Sequence, residues 1–145
     1  MHPVICAIDG WDSASGSARA VHVARDLAER FGRPILYVSV LDASDAEPER
    51  AAAAALLQHA VETSSEVEAD WTLESGHPAD RIVALAGERE ASFVVVGNHG
   101  PRSSLLGSIS ADVARRASCP VVVVPPDSPA AGAPGRRLEA VGLGR

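Results

Sequence analysis

Short apolar runs alternate with stretches of helical period along most of the chain. Residues 4–8 (Val-Ile-Cys-Ala-Ile) form one such run, closed by Asp9-Gly10, the pattern of a strand buried on both faces and ended by a turn. Further runs occupy residues 34–40, 70–74, 93–96 and 121–124. The run at 70–74 alone alternates polar and apolar positions, which places it at a sheet edge. Between the runs the period changes to that of helices. Val21, Ala24, Leu27 or Ala28, and Phe31 line one stripe that Gly32 stops. Ala53, Leu56 or Leu57, Ala60 or Val61, and Val67 line a second, in a segment that the alanines at 51–55 make strongly helix-forming. Ile82, Val83, Leu85 and Ala86 mark a third helix opened by Pro78, and Ile109, Val113 and Ala117 a fourth beginning near Ser108.

Strand and helix thus alternate strictly, from a first strand to a fifth. Parallel neighbours need crossovers, and right-handed crossovers put helices on both faces, so the expected fold is a single three-layer α/β domain around a five-stranded parallel sheet. In such sheets ligands sit beyond the carboxyl ends of the strands, where the strand order reverses. The domain is expected over residues 1–126. Residues 127–145 are rich in Pro, Gly and Ala without a sustained period, and a mostly disordered tail is expected there. The last strand, Val121 to Val124, is an uninterrupted β-branched run with no charge to block pairing, whereas Asp70 and Glu74 guard the third. Wherever the strand order leaves this strand at a sheet edge, a homodimer through Val121–Val124 is expected.

Composition narrows the function. A chain of 145 residues supports one core, and a net charge of −6 lacks the basic footprint of a nucleic-acid binder. No window reaches the 18 or so consecutive apolar residues of a membrane span, and no signal-peptide pattern precedes the first strand, so a cytoplasmic protein without nucleic-acid or membrane partners is expected. All 13 basic residues are arginine. The absence of lysine excludes Walker A loops, protein kinases and Schiff-base enzymes. Cys6 and Cys119 have no CxxC spacing and are expected to be buried, inert thiols. His22, His59 and His77 show no ligand spacing, and no metal site is expected. There is no GxSxG, no HExxH and no Cys paired with a His, which points to a ligand-binding protein rather than an enzyme.

The chemistry on offer lies after the fourth strand. Gly97, Gly100 and Gly107 let a backbone approach a ligand closely, Ser108 opens a helix whose first N–H groups are unpaired, and Arg102 supplies the full positive charge that lysine cannot. Each part alone also has a plain use: turn glycines, a serine cap, a solvated arginine. At the same end of the sheet Asp9 closes the first strand, where its carboxylate can accept from ribose hydroxyls or an adenine amino group while phosphates rest on the helix start. Together these two features suggest a nucleotide better than either does singly.

The chain resembles the universal stress protein family from about Val4 to Pro125. The similarity rests on Ile8-Asp9-Gly10, Leu36-Tyr37-Val38, Gly76-His77-Pro78-Ala79, Val95-Val96-Gly97-Asn98-His99-Gly100, Leu105-Leu106-Gly107-Ser108-Ile109-Ser110, and Cys119-Pro120 before a valine run. It implies a strand order of 3-2-1-4-5. Carried over by position, it implies that Ala7, Asp9 and Val38 surround an adenosine and that Gly97, His99 and Gly100 lie near ribose and phosphates. Gly107, Ser108, Ile109 and Ser110 would then bind the phosphates, with Arg102 beside them and Mg2+ if a triphosphate is bound. The implied function is a stress-response protein that binds ATP or another adenine nucleotide and acts through conformation or partners. The chain departs from the family pattern twice. Six residues, 101–106, separate Gly100 from Gly107 where nine are usual, and the loop after strand one is about three residues longer, through residues 11–15. The alternative is therefore a homodimeric interaction module of the same fold that binds no nucleotide because its phosphate loop is three residues short.

Overall fold

In a computed structural model of the chain, residues 2–8, 17–97 and 108–125 are described. The elements run β1 (Val4–Ala7), α1 (Ser17–Phe31), β2 (Ile35–Leu41), α2 (Glu47–Glu62), β3 (Ala69–Ser75), α3 (Pro78–Arg89), β4 (Phe93–Gly97), α4 (Ser108–Arg116) and β5 (Val121–Val124). All strand pairs are parallel, in the order β3-β2-β1-β4-β5. The alternating strand β3 is at one edge, as its pattern requires, and the valine strand β5 is at the other.

The sheet separates two apolar layers. Val4, Cys6, Tyr37 and Val95 face α1 and α2, where Ala20, Ala24, Ala28 and Leu57 meet them. Ile5, Leu36, Val38, Val94 and Val96 face α3 and α4, against Ala79, Ile82, Leu85 and Val113. Because α1 presents alanines at every fourth residue, its backbone can lie close to the sheet. Pro48 and Pro78 sit in the first turns of α2 and α3, where a missing N–H removes no helical bond.

Four expected core positions differ. Phe31, in the last turn of α1, is 57% exposed and lies with its ring 5.3 Å from that of Phe93, because the buried stripe of α1 follows Ala20, Ala24 and Ala28 and the helix stops at Gly32 (φ 64°). Val67 is not on α2, which ends at Glu62; it packs partly against the core from the turn before β3. Ile109 begins the fourth stripe but is 38% exposed, since the first turn of α4 overhangs the end of the sheet. Cys6 is buried, and burial pushes its thiol up to about 12, whereas Cys119 is only half-buried because it precedes an edge strand. Burial also raises the Cys119 thiol, so both are poor nucleophiles at neutral pH.

α3 ends on Glu90 in the left-handed region (φ 51°, ψ 55°), a conformation that costs a side chain about 1–2 kcal/mol. Glu90→Gly is expected to stabilise the fold by up to about 1 kcal/mol, the unfolded-chain entropy of glycine offsetting part of the relief. A lower urea midpoint for that variant would contradict this.

Candidate functional site at the carboxyl ends of β1 and β4

The central pair β1 and β4 run in parallel register, Cys6 opposite Val95. From β1 the chain turns through α1 toward β2, and from β4 through α4 toward β5, and these two helices lie on opposite faces of the sheet. A reversal of this kind leaves a crevice at the carboxyl ends, which neither helix covers.

Six of the expected site residues are described. Ala7 is half-buried at the end of β1, opposite Val38 in β2. The Ile8 N–H donates to the Val38 carbonyl at 2.8 Å, and the Val38 side chain is 1% exposed. Val38 is thus packed in the layer that α3 and α4 cover. Gly97 closes β4, and Ser108, Ile109 and Ser110 form the first turn of α4, with Ser108 and Ile109 exposed. The N–H groups of this turn have no intrahelical acceptors and carry the positive end of the helix dipole.

Ser110 joins the two elements. It is 3% exposed, and its hydroxyl donates to the Gly97 carbonyl at 2.9 Å, so its proton is committed to holding α4 against β4. Ser110→Ala should cost about 1–3 kcal/mol, the penalty of leaving a partly buried carbonyl without its donor, and urea denaturation should show it. A change within about 0.5 kcal/mol, the range of ordinary surface substitutions, would mean that water replaces the hydroxyl. Asp9, His99, Gly100, Arg102 and Gly107 lie outside the described residues, as do the two loops of altered length.

Asp42, just after β2, caps the turn leading to α2, and the N–H and hydroxyl that Ser44 donates to its carboxyl hold it below the usual carboxylate range. His22, His59 and His77 are all exposed. Among the described residues no cluster of His, Cys, Asp and Glu could hold a metal ion, and no helix is long and apolar enough to cross a membrane.

Sequence patterns did not reveal a polar cluster at the other end of the sheet. Tyr37, fully buried in an apolar strand, shares its hydroxyl with Ser64 Oγ at 2.6 Å, and Arg25 donates from Nε to both, at 3.2 and 3.1 Å. The one signal was the tyrosine itself, because a buried phenol needs a partner.

The fold and the glycine-serine helix start are shared by many α/β proteins, and comparison with known proteins decides among them. A single family description, "Universal stress protein family", covers residues 1–125. The chain belongs to the universal stress protein family. Among curated members it is 35% identical over 74 residues to universal stress protein YxiE of Bacillus subtilis (strain 168), 48% of this chain and 50% of that protein. It is 46% identical over 52 residues to universal stress protein Rv1636 of Mycobacterium tuberculosis (strain H37Rv), 34% of this chain and 36% of that protein. The matched stretches thus span half or less of these curated relatives. Similarity of structure extends further. A universal stress protein from Archaeoglobus fulgidus superposes with a TM-score of 0.75 at 25% identity, covering 86% of this chain and 93% of that one. An Archaeoglobus fulgidus universal stress protein solved in complex with dAMP gives 0.72 at 25% identity over 86% and 98%. A universal stress protein in complex with cAMP gives 0.68 at 26% identity over 88% and 100%.

Proposed function

We propose that this universal stress protein binds an adenine nucleotide in the crevice beyond β1 and β4 and acts in a cytoplasmic stress response through conformation or partners. The observation that carries the proposal is the juxtaposition of the end of β1, where Asp9 follows, with the exposed first turn of α4, tied to β4 by Ser110. An anion on the unpaired N–H groups of α4 and a ribose or adenine against the Asp9 carboxylate would span that gap. The dAMP and cAMP complexes of similar proteins support the same ligand class. His99, Gly100, Arg102 and Gly107 complete the proposed phosphate side, and Ala7 and Val38 the adenosine side.

The short 101–106 loop offers fewer backbone donors than a full-length one, so the site is expected to prefer AMP, ADP or a cyclic nucleotide over ATP, with Mg2+ entering only beside a triphosphate. The longer 11–15 loop supplies serine hydroxyls in partial compensation. Equilibrium dialysis of labelled ATP, ADP, AMP and cyclic AMP, with and without Mg2+, tests this directly. Asp9→Ala should weaken whichever nucleotide binds by about 10- to 150-fold, the worth of one hydrogen bond to a charged group, with the melting transition unchanged. Unchanged binding with a broadened transition would make Asp9 a turn residue. Binding of none of the four nucleotides would favour the second reading, an interaction module without a nucleotide, for which the shortened loop is the specific observation. Under either reading the protein is a ligand or partner binder rather than an enzyme, which steady-state phosphate release from ATP would test. We further propose that two copies associate through the β5 edge, whose four valines carry no charge.

A further inference from the structure

At the amino-terminal end of the sheet, α1 and the turn joining α2 to β3 enclose a cavity of about 220 Å³. Its wall includes His22, Arg25, Asp26 and Glu29 from α1, and Ser64 and Glu66 from the turn. Glu29 follows Arg25 by four residues, a spacing that usually favours an ion pair. Arg25 instead turns into the seam between α1 and α2. Its Nε donates to Tyr37 and Ser64, and its Nη2 to the Ala60 carbonyl at 3.3 Å and to Thr63 Oγ1.

Every one of these acceptors is neutral. Neighbouring Asp26 is taken by Arg30 at 3.1 Å, and among the described residues no carboxylate lies within ion-pair distance of Arg25. Its Nη1 makes no hydrogen bond among them either. A half-buried guanidinium that lines the cavity is therefore held by four neutral groups, with no carboxylate in ion-pair distance and no hydrogen bond from Nη1 among the described residues. That is the arrangement of a preorganised carboxylate receptor, because the ordering of the side chain has already been done by the fold. The rim adds the opposite charge. Glu29 and Glu66 are exposed, and neither is in an ion pair among the described residues.

We propose that this cavity binds a small free amino acid. The α-carboxylate accepts from Arg25 Nη1, and the α-ammonium faces Glu29 and Glu66. The volume has room for a ligand of about five to ten heavy atoms, which admits glycine, alanine or serine. A phosphate or dicarboxylate would bring its second charge against the glutamates, and a simple amine would meet the guanidinium. A ligand carrying both signs close together satisfies both walls. The site is at the opposite end of the strands from the nucleotide crevice and does not depend on it.

Titration of the full-length, nucleotide-free chain with L-serine, acetate, methylammonium and inorganic phosphate, followed by amide NMR shifts, tests the assignment. L-Serine is expected to bind with a Kd of about 1 mM, given its seven heavy atoms. It should move resonances of residues 22–29 and 63–66 but not those of Ala7, Gly97 or Ser108. Acetate should bind at least tenfold more weakly and methylammonium not at all. The double variant Glu29→Gln/Glu66→Gln, exposed and safe for folding, should weaken L-serine about tenfold and leave acetate no weaker. Arg25→Gln should abolish both, provided its amide spectrum stays native. Absence of shifts at 50 mM L-serine, tighter binding of phosphate than of L-serine, or unchanged L-serine affinity in the double glutamine variant would each overturn the proposal and leave Arg25 as a clamp between α1 and α2.

Discussion

Tyr37→Ala is expected to remove most of the stability of the fold. Tyr37 has the largest of the fully buried side chains, and its ring fills the layer between β2 and the helices α1 and α2. Truncating a buried aromatic to alanine costs about 3–5 kcal/mol through lost transfer energy and the cavity left behind. The hydroxyl adds to this, since it is the shared partner of Ser64 and Arg25 and both would lose a bond. One such loss costs about 1–3 kcal/mol. Against a total of about 5–15 kcal/mol for a domain, the variant stands near the edge of unfolding. Tyr37→Phe separates the two contributions, because it keeps the ring and removes only the hydroxyl, and it should cost about 1–3 kcal/mol. Urea unfolding of the two variants, with slopes equal to that of the parent, would measure both. A Phe variant as damaged as the Ala variant would show that the polar cluster, not the packing, dominates.

Val123→Pro is expected to give a folded monomer, if the proposed dimer forms along β5. The direction of each backbone group on this strand follows from one bond: the Pro120 carbonyl accepts from Val94 N–H at 3.0 Å and so faces β4. Alternate residues of a strand point their amides the same way, which turns the groups of Val122 toward β4 and those of Val121 and Val123 toward the open edge. A proline at 123 therefore removes an outward donor and leaves the β4 ladder intact. In a two-fold pair each substitution acts twice, and the loss of two backbone bonds together with the bulk of two rings should raise the dimer Kd by about 100-fold or more. Val122→Pro is the control. It strips a donor from the β4 side and should destabilise the monomer instead. Sedimentation velocity at micromolar concentration distinguishes these cases, and a dimer that survives Val123→Pro would move the interface elsewhere.

The edge strands illustrate what local pattern could and could not specify. Asp70 and Glu74 marked β3 as an edge because charges at alternate positions cannot be buried on both faces, and in the fold Glu74 is paired with Arg81 at 3.0 Å. β5 carried no such mark, and its edge position followed from the strand order that the family resemblance implied. The exposed first turn of α4 was equally legible, since glycines and a serine before an apolar stripe have few uses other than a helix start. Its partner across the crevice, the end of β1, followed from the strand order that the resemblance implied and not from local pattern, because it depends on which strands lie side by side.

Chain order, fold class and family were determined by the sequence alone, since the apolar period reports burial residue by residue and the glycine and proline positions report turns. Tertiary structure decided the matters that depend on distance between segments remote in sequence. It drew the Ser110 proton to Gly97, thirteen residues away, turned Arg25 from its helical neighbour Glu29 to Tyr37 and Ser64, and left Phe31 half in solvent, off the buried alanine stripe of α1. Side chains with polar tips choose partners by proximity in the folded chain, and no periodicity along a helix or strand encodes that choice.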